Sequence, residues 1–153
     1  MRAAARLRPL RPGDLPAMRA LVEKVLREYG LWRAHRPGLG DLRNPEAAYR
    51  GGAFLVAEAA GRLVGCGGLL PLKGGRGEIR RMYLLKQARG RGLGRRLLSR
   101  LVARARARGL RRLLLETSPR FQDAIALYLS AGFDACVLDD DCCCNIVMFR
   151  DLN

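Results

Sequence analysis

A mixed α/β fold, a sheet with helices on its faces, is what this 153-residue sequence predicts. Three observations predict it. Short apolar runs alternate with runs whose apolar residues recur at helical spacing. One of the latter, Leu93 to Gly109, is apolar on a single face and densely basic on the rest. A glycine-rich turn, "ARGRGLG", joins a strand directly to that helix. Composition agrees: with 49% apolar and 28% charged residues the chain is neither disordered nor fibrous. Its length suits one domain over residues 1–153 with a real core.

The elements follow in order. Residues Ala4 to Pro9 suit a short strand. A helix starts at Asp14, a good N-cap residue, and puts Leu15, Met18, Val22, Val25, Leu26 and Tyr29 on one face. The next stretch is irregular, with a short helix expected after Asn44, where Pro45 takes the first helical position. "AFLVAEAAGRLVGCGGLLPL" predicts two strands joined by a tight turn at Ala60–Gly61. "EIRRMYLL" is a further strand. Strict alternation puts Glu78, Arg80, Met82 and Leu84 on one face and Ile79, Arg81, Tyr83 and Leu85 on the other. The long helix carries the stripe Leu93, Leu97, Leu98, Leu101, Val102 and Ala105 and stops at Gly109. "RRLLLET" is a strand and "FQDAIALYLSAGF" a short helix. Two last strands are expected over Asp134–Leu138 and Asn145–Leu152.

Charge and cysteines narrow the function classes. The net charge is +15. Fourteen Lys or Arg and one acid, Glu78, lie between Arg76 and Arg112, around the glycines. Such a charge balance attracts polyanions: nucleic acid, an anionic membrane or a small phosphorylated cofactor. Cys66, Cys136, Cys142, Cys143 and Cys144 form no disulfide framework, and a start lacking the apolar core of a secretory signal makes a reducing, cytoplasmic location the expectation. Metal sites usually separate their ligands by two or more residues and neighbours on a strand point to opposite faces, so the triplet is read as strand residues and no metal is expected. No apolar run is long enough to span a membrane.

The glycines at 90, 92 and 94 need a reason, because glycine is costly at a helix entrance. The unpaired N–H groups at a helix start, with the helix dipole, form an anion site. A phosphate held by main-chain N–H groups must come close to the backbone, which a Cβ obstructs, and the turn itself can require a positive φ. A phosphate cradle therefore explains the glycines, with Arg89, Arg91, Arg95 and Arg96 adding charge. The nucleotide P-loop pattern is absent, and "GRGLGR" lacks the last glycine of the dinucleotide fingerprint. The pattern [QR]-x-x-G-x-[GA] is met by Gln87, Gly90 and Gly92.

At this point the sequence resembles a known family. "EIRRMYLLKQARGRGLGRRLL" is similar to the acyl-coenzyme A binding motif of the GCN5-related N-acetyltransferase (GNAT) superfamily, and "LLLETSPRFQDAIALYLSAGF" to the motif that follows it there. The resemblance is specific from Glu78 to Phe133 and looser upstream. It implies a mostly antiparallel central sheet with a splayed strand pair at the cofactor site. It also implies direct acetyl transfer from acetyl-coenzyme A to a primary amine.

Further expectations follow from the resemblance. Main-chain groups near Met82, Tyr83 and Leu84 would bind the pantetheine arm, and an N–H near Met82 would serve the thioester oxygen. N–H groups from Arg89 through Gly90, Arg91, Gly92, Leu93 and Gly94 to Arg95 would hold the pyrophosphate. Tyr128 matches the residue that protonates the leaving thiolate. Glu78 is the candidate base, with Glu116 a second choice. Phe121 stands where many members carry a cofactor-contacting asparagine. The segment holding Trp32 and His35 often walls the acceptor site in this fold. The expected partner is a small-molecule or peptide amine, with a homodimer left open; basic surroundings favour acceptors with carboxylate or phosphate groups. The alternatives are a nucleic-acid-binding protein and an acyl-coenzyme A binding protein without turnover.

Overall fold

The computed structural model describes residues 4–137 and 146–153. A seven-stranded sheet has the order β1-β2-β3-β4-β5-β7-β6. Its strands are β1 Arg6–Pro9, β2 Ala53–Ala59, β3 Arg62–Pro71, β4 Arg76–Leu84, β5 Arg112–Thr117, β6 Asp134–Val137 and β7 Ile146–Asp151. All neighbouring pairs are antiparallel except β4 and β5. The α-helices are α1 Leu15–Glu28, α2 Trp32–His35, α3 Pro45–Ala48, α4 Leu93–Ala107 and α5 Gln122–Ser130. This is the mixed, mostly antiparallel architecture expected. The cysteine triplet lies outside the described residues.

Two cores explain the apolar runs. On one face Leu97, Leu98 and Leu101 of α4, with Tyr128 of α5 and Phe133 just after it, are buried against Leu55, Ile79, Leu113 and Met148 of the sheet. On the other, α1 buries Met18, Leu21, Val22, Val25 and Leu26 against Phe54, Val56, Cys66 and Tyr83. Strands covered on both faces read as continuous apolar sequence, as β2 does. The α4 stripe is buried as its spacing predicts.

Asp14 takes the N-cap position of α1 without capping it. Its carboxylate instead accepts from the Arg11 N–H (2.7 Å) and forms a two-pronged pair with Arg8 (2.7 and 2.9 Å). Arg8 also donates to Glu58 (2.7 Å), tying β1 to β2 and to the start of α1. The better donor outcompetes the cap, because a charge-assisted paired hydrogen bond is the stronger one. Asn44 does cap α3, accepting from the Ala47 N–H.

The alternation expected of β4 fails for a physical reason. Gly68 pairs with Arg80 and Cys66 with Tyr83, so Gly67 alone faces both Arg81 and Met82. This is a β-bulge, which moves every later side chain to the opposite face. Ile79 and Met82 consequently share one core and Tyr83 enters the other. A side chain at Gly67 would put its Cβ 2.6 Å from the Met82 sulfur. Arg81 sits in the left-handed region, with φ 58°, at a cost of about 1–2 kcal/mol for a non-glycine residue.

What holds that conformation is a latch. The Arg81 guanidinium donates to both carboxylate oxygens of Asp41 (3.0 and 2.7 Å) and to the Gly38 carbonyl (2.9 Å). The Tyr49 hydroxyl donates to Asp41 (2.5 Å), and the Cys66 thiol to the Arg81 carbonyl (3.2 Å). Burial also pushes that thiol up to about 12. The latch pins residues 38–41 against the bulge.

Burial opposes the charge of Asp41, but the hydrogen bonds from Arg81 and Tyr49 outweigh it and hold the carboxyl below its ordinary value. A depressed carboxyl stabilises the fold fully above its unfolded pKa, about 4, and the contribution is lost as pH falls through the folded value. Asp41→Asn is expected to destabilise the protein by roughly 2–4 kcal/mol at pH 7 in urea unfolding. The gap between variant and wild type should narrow as the pH drops below about 4.

Candidate active site

The glycine turn follows β4 and a single 3-10 turn over Lys86–Ala88. Gly90 and Gly92 have φ of 76° and 78°, and Gly92 directly precedes α4. A Cβ at either would meet nothing within 4 Å. The turn therefore needs glycine for its backbone angles, and the space beside it stays open. Gly94 has another task. It lies in the first turn of α4, where a Cβ would come 3.2 Å from Leu127 and 3.4 Å from Leu84, so it allows α4 and α5 close together. The helix ladder begins with the Arg96 N–H on the Gly92 carbonyl (3.0 Å). The N–H groups before it have no partner within the helix and carry the positive end of its dipole.

These groups open on a cleft of about 510 Å³. One wall is β4, through Met82, Tyr83 and Leu84; another is the turn, through Arg89, Gly90, Gly92, Leu93, Gly94 and Arg95. Helix α5 supplies Ala124, Leu127 and Tyr128. The cleft runs along the part of β4 that lies beyond its pairing with β5. Strands β4 and β5 pair only from Arg76 with Arg112 to Ile79 with Leu115, though both run on past that point.

Not every expected cleft residue faces the cleft. Gln87 and Arg91 are exposed and do not line it. Arg89 lines it but is engaged: its guanidinium binds both oxygens of Glu28 (2.7 and 2.9 Å) and the Leu84 carbonyl (3.1 and 2.9 Å). Its N–H is also spent, on the Lys86 carbonyl. Arg89 thus shapes the turn. Its hydrogen bond, against a weaker effect of burial, holds the Glu28 carboxyl below its ordinary range. Glu28 was not singled out from the sequence, because it looks like any acid at a helix end. Arg95 donates to the Ser130 hydroxyl (3.0 Å).

Beside the cleft is a smaller pocket of about 250 Å³. Glu78, Arg80 and Glu116 line it, with His35 and Gly38 from the segment after α1. The pocket and the cleft share Met82, Tyr83, Phe121, Ala124 and Tyr128 as a common wall. Phe121 packs between Tyr29 (ring centroids 4.6 Å apart) and Tyr83 (6.3 Å), so this position is an aromatic wall. Glu78 is ion-paired with Arg80 (2.8 Å). Tyr128 is buried, edge-on to Phe133 at 6.0 Å. Burial above all, and then neighbouring Tyr83, push its phenol well above the ordinary range, so it stays protonated at neutral pH. Among the described residues, no group of three or more His, Cys, Asp and Glu could hold a metal ion. No helix among them is long and apolar enough to cross a membrane.

Known proteins resemble this chain in sequence and in fold. A family model described as "Acetyltransferase (GNAT) family" matches residues 18–133. The uncharacterized N-acetyltransferase YjgM of Escherichia coli (strain K12) is 34% identical over 160 residues, covering 95% of this chain and 94% of that one. An acetyltransferase of the GNAT family from Staphylococcus aureus Mu50 superposes with a TM-score of 0.87 at 21% identity, over 98% of this chain and 100% of its own. YncA of Salmonella typhimurium, a putative acetyltransferase solved with its cofactor acetyl-CoA, superposes with a TM-score of 0.73 at 21% identity, over 98% and 95%.

If backbone angle rather than crowding dictates the turn glycines, Gly92→Ala should lower stability by about 1–2 kcal/mol although its methyl meets no atom. Urea unfolding reads this directly, and a neutral result would remove the angular requirement.

Proposed function

The chain belongs to the acetyltransferase (GNAT) family, and from that premise we propose that it moves an acetyl group from acetyl-coenzyme A directly to a primary amine. One observation carries the reading: a cleft that ends on a glycine turn and a helix start meets a polar pocket at a shared wall containing Tyr128. Two substrates approaching from opposite sides meet there without a covalent enzyme intermediate.

In this reading the free N–H groups from Gly90 to Arg95 hold the pyrophosphate. Nothing within 4 Å of the Cβ positions at Gly90 and Gly92 obstructs that approach. The strand β4 beyond Ile79, released from β5, offers its main-chain groups to the amide-bearing pantetheine arm. The Leu84 carbonyl is excluded from this, being held by Arg89. In this reading an N–H of the bulge near Met82 would serve the thioester oxygen, where negative charge gathers during attack. Tyr128, kept protonated, supplies the proton for the departing thiolate. The amine enters through the pocket lined by His35, Glu78, Arg80 and Glu116. No particular acceptor is assigned.

Calorimetric titration with acetyl-coenzyme A is the test. The wild type should bind one equivalent, and a Gly90→Val, Gly92→Val variant that is still folded should bind at least ~10-fold more weakly, a loss of about 1.4 kcal/mol. Absence of wild-type binding would end the reading. Tyr128→Phe should keep the packing on Phe133 and the affinity for acetyl-coenzyme A, while kcat drops by roughly 10²-fold or more. An unchanged kcat would remove Tyr128 from the chemistry.

A further inference from the structure

The amine attacks only after losing a proton, and the structure offers a group for this that the glutamates obscure. Resting on the acetyl-transfer reading, we propose that His35 is the base, taking the proton of the acceptor amine at Nε2. His35 closes α2 and lines the same pocket as Glu78 and Tyr128. Its Nδ1 lies 3.1 Å from the Leu31 carbonyl. A carbonyl can only accept, so Nδ1 carries the hydrogen, and in the neutral ring the lone pair is left on Nε2. A base oriented through its second nitrogen is the arrangement that general-base histidines need.

The setting supports the assignment. Glu78 already has the Arg80 guanidinium at 2.8 Å, so its carboxylate is engaged by a cation on the protein and is less open to the acceptor. The segment carrying His35 is anchored close by: Arg81 binds the Gly38 carbonyl and both oxygens of Asp41. The imidazole is thus fixed at the pocket wall and is only half-buried, so a proton can pass on to water. The charged groups nearby are Arg33 and Arg36 on its own segment, and Glu78, Arg80 and Arg81 from β4 and Glu116 from β5 in the same pocket, which Tyr83 and Tyr128 also line. Arg81 is matched by Asp41, and Arg80 by Glu78.

The protons balance. The acceptor arrives as an ammonium ion and gives one proton to Nε2, which becomes imidazolium and releases it to solvent. The freed lone pair forms the C–N bond at the thioester carbon. The C–S bond then breaks, and Tyr128 gives its proton to the sulfur while the second nitrogen proton restores the phenol. Products are the acetamide, the free thiol and one proton.

The test compares wild type, His35→Gln and Glu78→Gln. The acceptors are a panel of small primary amines and short peptides with free N-termini. With the best acceptor, His35→Gln should lower kcat/KM by about 10²-fold or more, remove the acidic limb of the pH profile, and leave acetyl-coenzyme A affinity unchanged. Glu78→Gln should lower the rate but keep that limb. The chain has a single histidine, so one set of imidazole nitrogen resonances reports the ring without any variant. The expected form has the hydrogen on Nδ1. A ring with the hydrogen on Nε2, or a His35→Gln enzyme with wild-type rate and limb, overturns the proposal and leaves acetyl transfer standing. Wild type that binds acetyl-coenzyme A yet acetylates nothing in the panel overturns the acetyl-transfer reading and this proposal together.

Discussion

Everything at the site depends on two parallel strands that stop pairing. Backbone N–H and C=O groups inside a protein must find partners. Strands β4 and β5 satisfy each other for four residue pairs and then separate after Ile79 and Leu115. Strand β5 keeps its other partner, β7, out to Thr117. Strand β4 turns aside through a bulge, leaving main-chain groups without a strand on that edge. Such a gap is unstable unless something rigid holds it open. Here Phe121 and the α5 helix cover one side, and the Arg81–Asp41 latch fixes the bulge on the other. The chain passes from the end of β4 through the glycine turn into α4, so the turn and the end of β4 line one cleft.

That constraint explains which features were legible in the sequence. The glycines were, because the turn's backbone angles are written into the residue type: Gly90 and Gly92 have positive φ. The helices α1 and α4 were, because each buries one stripe against one core. Tyr128 stood out through the motif around it, and it lies on the wall common to both hollows. The bulge was not legible. Arg81 reads as an ordinary strand residue, and its left-handed backbone is held by Asp41, forty positions away in an irregular segment. Glu28 was missed for the same reason, since its partner Arg89 is distant in sequence. Asp14 was read as a helix cap because propensity is local, whereas Arg8 reaches it through the tertiary fold.

Charge is distributed more selectively than the net value suggests. The excess of +15 includes Arg95, Arg96, Arg100, Arg104, Arg106 and Arg108, all exposed along α4. Arg80 and Arg81, at the acceptor pocket, are each paired with a carboxylate. Glu116 adds a further acid there. The basic composition therefore says little about what the pocket receives, and preference for an anionic acceptor loses its main support. Positive charge at the cleft comes instead from the helix start and Arg95.

The central claim is that the gap beside β4 and the turn before α4 form one binding site for coenzyme A. Its most direct test is a titration of the ¹⁵N-labelled protein with coenzyme A, following the backbone amides. The account predicts the largest shifts at Gly90–Arg95 and at Met82–Leu84, moving together with one affinity. Shifts confined to the exposed arginines of α4, with those amides unmoved, would contradict it and make the cleft irrelevant to the cofactor.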